Sequence, residues 1–401
     1  MPKRKEVDSS TLHYKKFTYG EHTQEEDIRY LQKKSKTEQT KLLNELTFLH
    51  NMTSSFVPVM FRLLESSIPA PFKMIAYKKI LNLETDTNGK LRQWVDSFLR
   101  IPFQPLTPSL PFTSNPDSAQ YLKECEDTLN HCTFGMKDAK QQFLQLIGKW
   151  LVNPQSMGSA IALKGPMGTG KTTLIKHGIS KILNRPFAFV PLGGASDGSF
   201  LEGHSFTYEG STYGKIVDIL IQTKSSNPVI FFDELDKVSQ SEKGSEIIGI
   251  LTHLTDTTQN TQFHDKYFSE LDFDLSKCLF VFSYNDEQLV NPILRDRMVT
   301  IDISGYDQEE KLVIARDYLI PEIQNEYRIQ ENVWTDELIL SLIQKTEKES
   351  GVRNLKRNLD KVYSQLNLLR ILEKKEQLIT IELLDEWFPT LQKESYSSMY
   401  L

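Results

Sequence analysis

One octapeptide constrains this chain more than any other feature: Gly165-Pro166-Met167-Gly168-Thr169-Gly170-Lys171-Thr172, a G-x-x-x-x-G-K-[ST] run. The apolar stretch Ile161–Leu163 precedes it, and helical patterning follows from Thr172 to Leu183. A strand that turns through glycines into a helix leaves backbone N–H groups pointing inward at a helix N-terminus, where they cradle phosphate oxygens. Lys171 is then placed to neutralise the outer phosphates, and Thr172 offers a hydroxyl to Mg²⁺. Gly165 to Thr173 is the candidate nucleotide-binding set. A glycine turn before an ordinary helix requires neither the strand nor the Lys-Thr pair.

The second element is Val229-Ile230-Phe231-Phe232-Asp233-Glu234, an apolar strand ending in two acids. Asp233 stands where it can hold the magnesium shell, and Glu234 is the natural base or water-positioner for hydrolysis. An acidic pair at a strand end is by itself often a solvated turn; following the phosphate loop, it gains chemical meaning. Short apolar runs recur at Ile161–Leu163, Phe187–Val190, Val229–Phe232, Leu279–Phe282 and Val299–Ile303, separated by helical stretches. Continuous rather than alternating apolar strands between helices predict a parallel sheet covered on both faces, an α/β fold.

Composition excludes several alternatives. Of 401 residues, 39% are hydrophobic and 25% charged, as in globular chains, and 47 basic against 53 acidic residues give a net charge of −6, which argues against nucleic acid as the main ligand. The apolar runs fall far short of the ~18 residues a membrane helix needs. Three cysteines (Cys125, Cys132, Cys278) without a CxxC pair indicate neither a disulfide framework nor a zinc site. They fit a reducing compartment. With a charged Met1–Lys5 and no apolar stretch after it, the expected location is cytoplasmic, with Pro2-Lys3-Arg4-Lys5 a weak nuclear address.

Along the chain, residues 1–50 read as a flexible arm (to about Tyr19) and one long helix from Glu25 to Leu49. Residues 51–120 read as a helical region, broken by Pro69, Pro71 and Asn88-Gly89 and ending in a stretch punctuated by Pro102, Pro105, Pro108, Pro111 and Pro116. Residues 121–304 carry the α/β region, led by a helix with Ala139, Phe143, Leu146, Ile147 and Trp150 on one face. A capping-box pattern at Asp307 and Glu310 opens a helical section, 305–391, and 392–401 is a polar tail.

Further motifs bring a family resemblance. The segments Gly193–Asp197, Glu202–His204, Thr207–Gly210, Phe263–Tyr267, Leu294–Met298, Ser304–Tyr306 and Ser350–Leu355, in this order, resemble the ATPase part of Lon-type AAA+ proteins over roughly residues 60–390. The resemblance implies an AAA+ P-loop NTPase fold with a five-stranded parallel sheet, a C-terminal helical subdomain and a mostly helical N-terminal region, using ATP and Mg²⁺. It implies further roles: Asn285 as sensor 1 beside the attacking water, Arg297 as a finger reaching a neighbouring subunit's nucleotide, Arg353 as sensor 2, and Tyr208 as the aromatic pore-loop residue that grips substrate. Arg295 stands where the family has an apolar residue and reads as a surface or interface charge. Glu209 replaces an apolar partner, and Ser239–Glu246 lacks the aromatic of a second pore loop.

After Leu391 the sequence has only the short tail, where Lon proteins carry a Ser–Lys protease domain. The expectation is therefore an ATP-dependent, ring-forming unfoldase, a homo-hexamer acting on protein substrates without its own protease, with a separate protease as a candidate partner. Two rivals are a nucleotide-gated scaffold that uses ATP only to assemble and a nucleic-acid motor.

Overall fold

The computed structural model describes residues 29–53, 57–83, 89–104, 118–153, 160–195, 197–329, 334–373 and 378–388. The basic N-terminal run, most of the proline-punctuated stretch and the polar tail lie outside them. The chain divides into two compact units, Met1–Leu99 and Arg100–Leu401.

The first unit is helical: α1 (Lys36–Thr53), α2 (Val59–Glu65), α3 (Ala70–Leu81) and α4 (Lys90–Phe98). The single helix expected from Glu25 to Leu49 is corrected here, because residues 29–32 are helical and the path breaks at 33–35 before α1 starts. Ser35 causes the break. Its hydroxyl accepts from the Glu38 N–H (3.4 Å) while Glu38 Oε2 accepts from the Ser35 N–H (3.1 Å), a capping box that starts a new helix. Pro69 precedes α3, and Gly89, at φ +68°, precedes α4. Trp94 stacks on Phe98 with centroids 5.1 Å apart, and Lys79 Nζ lies 4.7 Å from the Trp94 ring.

The second unit is built on β1 (Ala160–Lys164), β2 (Phe187–Pro191), β3 (Val229–Asp233), the two-residue pair β4 (Phe263–His264) and β5 (Asp272–Phe273), then β6 (Leu279–Tyr284) and β7 (Met298–Asp302). The main sheet has five parallel strands in the order β2-β3-β6-β1-β7, one at each of the five expected runs, the last ending at Asp302, one residue short of the expected Ile303. Ile161 of β1 lies opposite both Val281 of β6 and Val299 of β7. The carboxyl ends of β1, β3 and β6 therefore open side by side, the crevice where α/β sheets bind ligands.

Helices α5 (Ser118–Cys132) and α6 (Lys137–Val152) bury Leu129, Phe143, Ile147 and Trp150 with Ile161, Leu163, Phe231 and Val281. Across the sheet's other face Phe232 stacks with Phe282 (5.0 Å) and Phe280 (6.4 Å). Each such fully buried ring contributes about 1.5–3 kcal/mol of burial free energy. This is why the strands read as continuous apolar runs. Helix α7 follows the phosphate loop over residues 171–182, with a π-helical stretch at Leu174–Ile179. Then come α8 (Ser199–Glu202), α9 (Lys215–Thr223), α10 (Glu242–Thr255) and α11 (Pro292–Asp296).

The helical section holds α12 (Gln308–Ile314), α13 (Ile320–Tyr327), α14 (Asp336–Lys345), α15 (Arg353–Glu373) and α16 (Ile381–Trp387). Its core joins Ile339 and Leu342 to Leu355, Leu359, Val362 and Tyr363. The expected capping box is present: Asp307 accepts from the Glu310 N–H at 2.8 Å, and Glu310 accepts from the Asp307 N–H at 3.1 Å. Among the described residues, no helix is long and apolar enough to cross a membrane.

Candidate nucleotide site

The phosphate loop is shaped by glycine. Gly168 and Gly170 sit at φ +77° and +91°, a region L side chains avoid, and Gly165 lies so close to the Ile303 carbonyl that no Cβ fits. Thr169 Oγ1 donates to Pro166 O at 3.0 Å, and the Gly165 N–H donates to Tyr284 O at 3.2 Å. Lys171 is buried, and its ammonium donates to Pro166 O and to Asn285 Oδ1, each at 3.0 Å. Burial pulls the Lys171 pKa below the usual lysine range, against the attraction of Asp233 and Asp236. A cation stripped of water this way gains more from an arriving phosphate than a solvated one does.

The two acids close β3. Ser283 of β6 donates its hydroxyl to Asp233 Oδ1 and accepts from the Glu234 N–H at 3.3 Å, locking one strand end to the other. Glu234 is held at φ +59°, ψ +48°, a left-handed conformation that costs a non-glycine residue about 1–2 kcal/mol. A Cβ at position 193 would collide with the Glu234 carboxylate, so Gly193 makes room for it. Two residues on, Asp236 is buried; one of its oxygens accepts from the Asp286 N–H at 3.3 Å, beside Asn285, and the other has no hydrogen-bond partner among the described residues.

A cleft of about 690 Å³ joins these parts. Met167 to Thr173, Asp233, Glu234, Asn285 and Arg353 line it together. Gly165 and Pro166 are not in this lining; they line a second pocket with Lys164, Asp302 and Ile303. The helical section grips the loop directly: the Val352 N–H donates to Gly168 O (3.1 Å), Tyr306 Oη donates to Thr169 O (2.7 Å), and Gly351 packs on Met167 and Gly168 with no space for a side chain. Burial pushes the Tyr306 hydroxyl pKa up, which keeps it a donor. Phosphate loop and helical section thus share one set of hydrogen bonds.

Two candidates stand elsewhere. Arg297 follows α11 and donates to Asp256 Oδ2 at 2.5 Å and to Thr252 O at 3.3 Å, away from the cleft lining. Tyr208 is 69% exposed on the loop between α8 and α9. Arg295 pairs with Glu287 at 2.9 Å, which in turn pairs with Lys164 at 2.6 Å. Sequence reasoning missed Ser283, Tyr318, His177 and Lys356, all in the cleft lining. Ser283 had a readable signal, a hydroxyl near the end of an apolar run two residues before Asn285. His177 lies on α7 directly behind the phosphate loop, without a motif to mark it, and Tyr318 and Lys356 come from the helical section, far away in sequence.

The residues fit Mg²⁺. Thr172 and Asp233 bring a hydroxyl and a carboxylate into the cleft, hard oxygen donors of the number such an ion takes from protein when nucleotide and water supply the rest. Among the described residues no group of three or more His, Cys, Asp or Glu side chains is poised to hold a metal.

The family model for the "ATPase family associated with various cellular activities (AAA)" matches residues 161–304, from β1 to just past β7. A Lon protease homolog of Acanthamoeba polyphaga mimivirus is 37% identical over 356 residues, covering 85% of this chain and 34% of that protein. The core of this chain is a Lon-family AAA+ ATPase domain. The Lon protease of Clostridium acetobutylicum is 35% identical over 68% of the chain and 35% of its own length. The mitochondrial Lon protease homolog of Debaryomyces hansenii is 38% identical over 64% of the chain and 24% of its own length. The Lon-type chain thus spans about a quarter to a third of these curated relatives. The matched span agrees with the five-stranded parallel sheet and the α/β AAA+ fold expected from the motifs.

Proposed function

We propose that these 401 residues hydrolyse ATP within a closed ring of identical chains, six by family analogy, and use the cycle to pull on and remodel polypeptides without themselves cutting peptide bonds. The observation that carries this reading is the single cleft shared by Lys171, Thr172, Asp233, Glu234, Asn285 and Arg353, while Arg297 points elsewhere.

In this reading the loop N–H groups and Lys171 hold the phosphates of ATP. Mg²⁺, when bound through Thr172 and Asp233, offsets charge on the β- and γ-phosphate oxygens. Glu234, fixed by its backbone at the cleft, orients the attacking water and takes its proton; Asn285, tied to Lys171, sets the water's other side. Arg353 contributes charge from the helical section, so turnover alters how that section sits on the loop. Arg297 acts in a neighbouring copy, where an arginine finger supplies ~10³–10⁵ in rate, about 4–7 kcal/mol. Tyr208 presses on an extended chain by apolar contact that reads no sequence.

The test is Glu234→Gln in the full chain. ATP binding stays intact and turnover falls to background; turnover at the wild-type rate overturns the proposal. Stimulation of turnover by an unfolded polypeptide separates a remodeller from a nucleotide-gated scaffold.

A further inference from the structure

Tyr208 sits on a loop that leaves α8 and returns into α9, and the base of that loop is unusually fixed. The His204 N–H donates to Thr212 O at 3.0 Å, closing the two stems on each other. Gly203, at φ +77°, and Gly214 approach so closely that a side chain on either would strike backbone. Beneath them lies Asp265, fully buried. One of its carboxylate oxygens accepts from the Gly214 N–H at 2.7 Å; the other accepts from the N–H groups of Tyr267 (2.9 Å) and Phe268 (3.2 Å). The next residue continues the seam, with the Lys266 N–H donating to Glu202 O at 2.7 Å and Lys266 Nζ 3.2 Å from the Glu202 carboxylate. Aromatic rings cover the join: Tyr213 stacks on Phe268 (5.9 Å), and Phe206 meets Tyr267 edge-on (5.4 Å).

We propose that Asp265 is the positioning residue that holds the Tyr208 loop as a rigid lever on the sheet, so that nucleotide-driven movement reaches the gripped polypeptide. The inference rests on the remodelling function proposed above. A loop hinged freely at its stems would absorb displacement by bending; one bonded at the Gly214 end, closed at His204–Thr212 and stitched at Glu202–Lys266 moves with what it is bonded to. The segment carrying Asp265 runs through β5 into β6, and β6 leads into Asn285 at the cleft. An ionised carboxylate suits the place because all three groups facing it are N–H donors and both oxygens are used. Asparagine has the same shape, but its amide turns an N–H₂ towards one of those N–H groups.

The experiment compares wild type, Asp265→Asn and Tyr208→Ala as full chains, with reduced carboxymethylated lactalbumin as the unfolded probe. Asp265→Asn is expected to keep basal ATP turnover and nucleotide affinity within about twofold while losing stimulation by the probe, as Tyr208→Ala does. Stimulation at the wild-type ratio in Asp265→Asn overturns the anchor. If the wild-type chain itself is not stimulated, the remodelling function fails, and amide hydrogen exchange still decides the anchor. Exchange at His204, a group Asp265 does not touch, should rise at least tenfold in Asp265→Asn while β1 and β6 stay protected; unchanged exchange at His204 refutes it. Should Asp265→Asn not fold, Tyr213→Leu weakens the same base from the loop side, and unaltered stimulation and exchange there count equally against the proposal.

Discussion

At Glu234 the backbone stores strain where the proposed hydrolysis needs a fixed carboxylate. Its left-handed conformation is one glycine adopts freely, so Glu234→Gly should raise stability by up to about 1 kcal/mol while abolishing turnover. Urea unfolding and an ATPase assay on the same preparation read both effects. Ser283 is the complementary case. Its hydroxyl serves Asp233 and the Glu234 N–H at once from a fully buried position. Ser283→Ala leaves both partners short of a hydrogen bond and should cost about 1–3 kcal/mol, with a fall in turnover larger than any change in nucleotide affinity. Equal losses in both would mean that the hydroxyl only supports the fold.

At the scale of elements, joints carry the weight. The capping box at the start of α12 follows directly on the Tyr306 contact to the phosphate loop. Asp307→Ala should cost about 1 kcal/mol of stability, read by chemical denaturation. The α10–α11 joint is ionic: Asp256, just past α10, accepts from Arg297, just past α11. The Thr258 hydroxyl and N–H, and then Arg297, hold the Asp256 carboxyl down at about 2. A folded pKa below the unfolded one gives a contribution present at neutral pH and lost as pH falls from about 4 through 2. Asp265 has the opposite sign. Burial raises its carboxyl to about 6 despite three N–H bonds, so folding gains from protonation below that value and loses the gain as pH rises from about 4 to 6. The melting temperature of wild type relative to Asp265→Asn should therefore rise as pH falls from 6 towards 4; a flat difference contradicts the shift.

At the scale of the whole molecule, the separation of Arg297 from the cleft makes a quantitative demand on any assembly. If the finger works between copies, Arg297→Ala chains have sound clefts without a finger, and Glu234→Gln chains have fingers without a base. Each alone should be inactive, with a deficit on the order of 10³-fold for the finger. Mixing and reassembling them should restore a measurable share of wild-type turnover, because an Arg297→Ala cleft can meet a neighbour's intact arginine. A mixture as inactive as its components removes the trans role.

What the chain reveals by itself is whatever depends on near neighbours in sequence. Glycines followed by Lys171 and Thr172 make a phosphate loop because turn geometry and helix start are local; five apolar runs between helices make a parallel sheet because period and length are local. Even the break at residues 33–35 is spelled out three residues apart, in Ser35 and Glu38. The tertiary structure alone decided which strands lie side by side. Only the order β2-β3-β6-β1-β7 brings Ser283 to Asp233, Asp286 to Asp236 and Asn285 to Lys171, pairs 50 or more positions apart in the chain. The same holds for Tyr306 on the phosphate loop and Asp265 under the Tyr208 loop. Burial and hydrogen-bond partnership are properties of a packed neighbourhood, and a packed neighbourhood exists only once distant segments have paid the entropy of meeting.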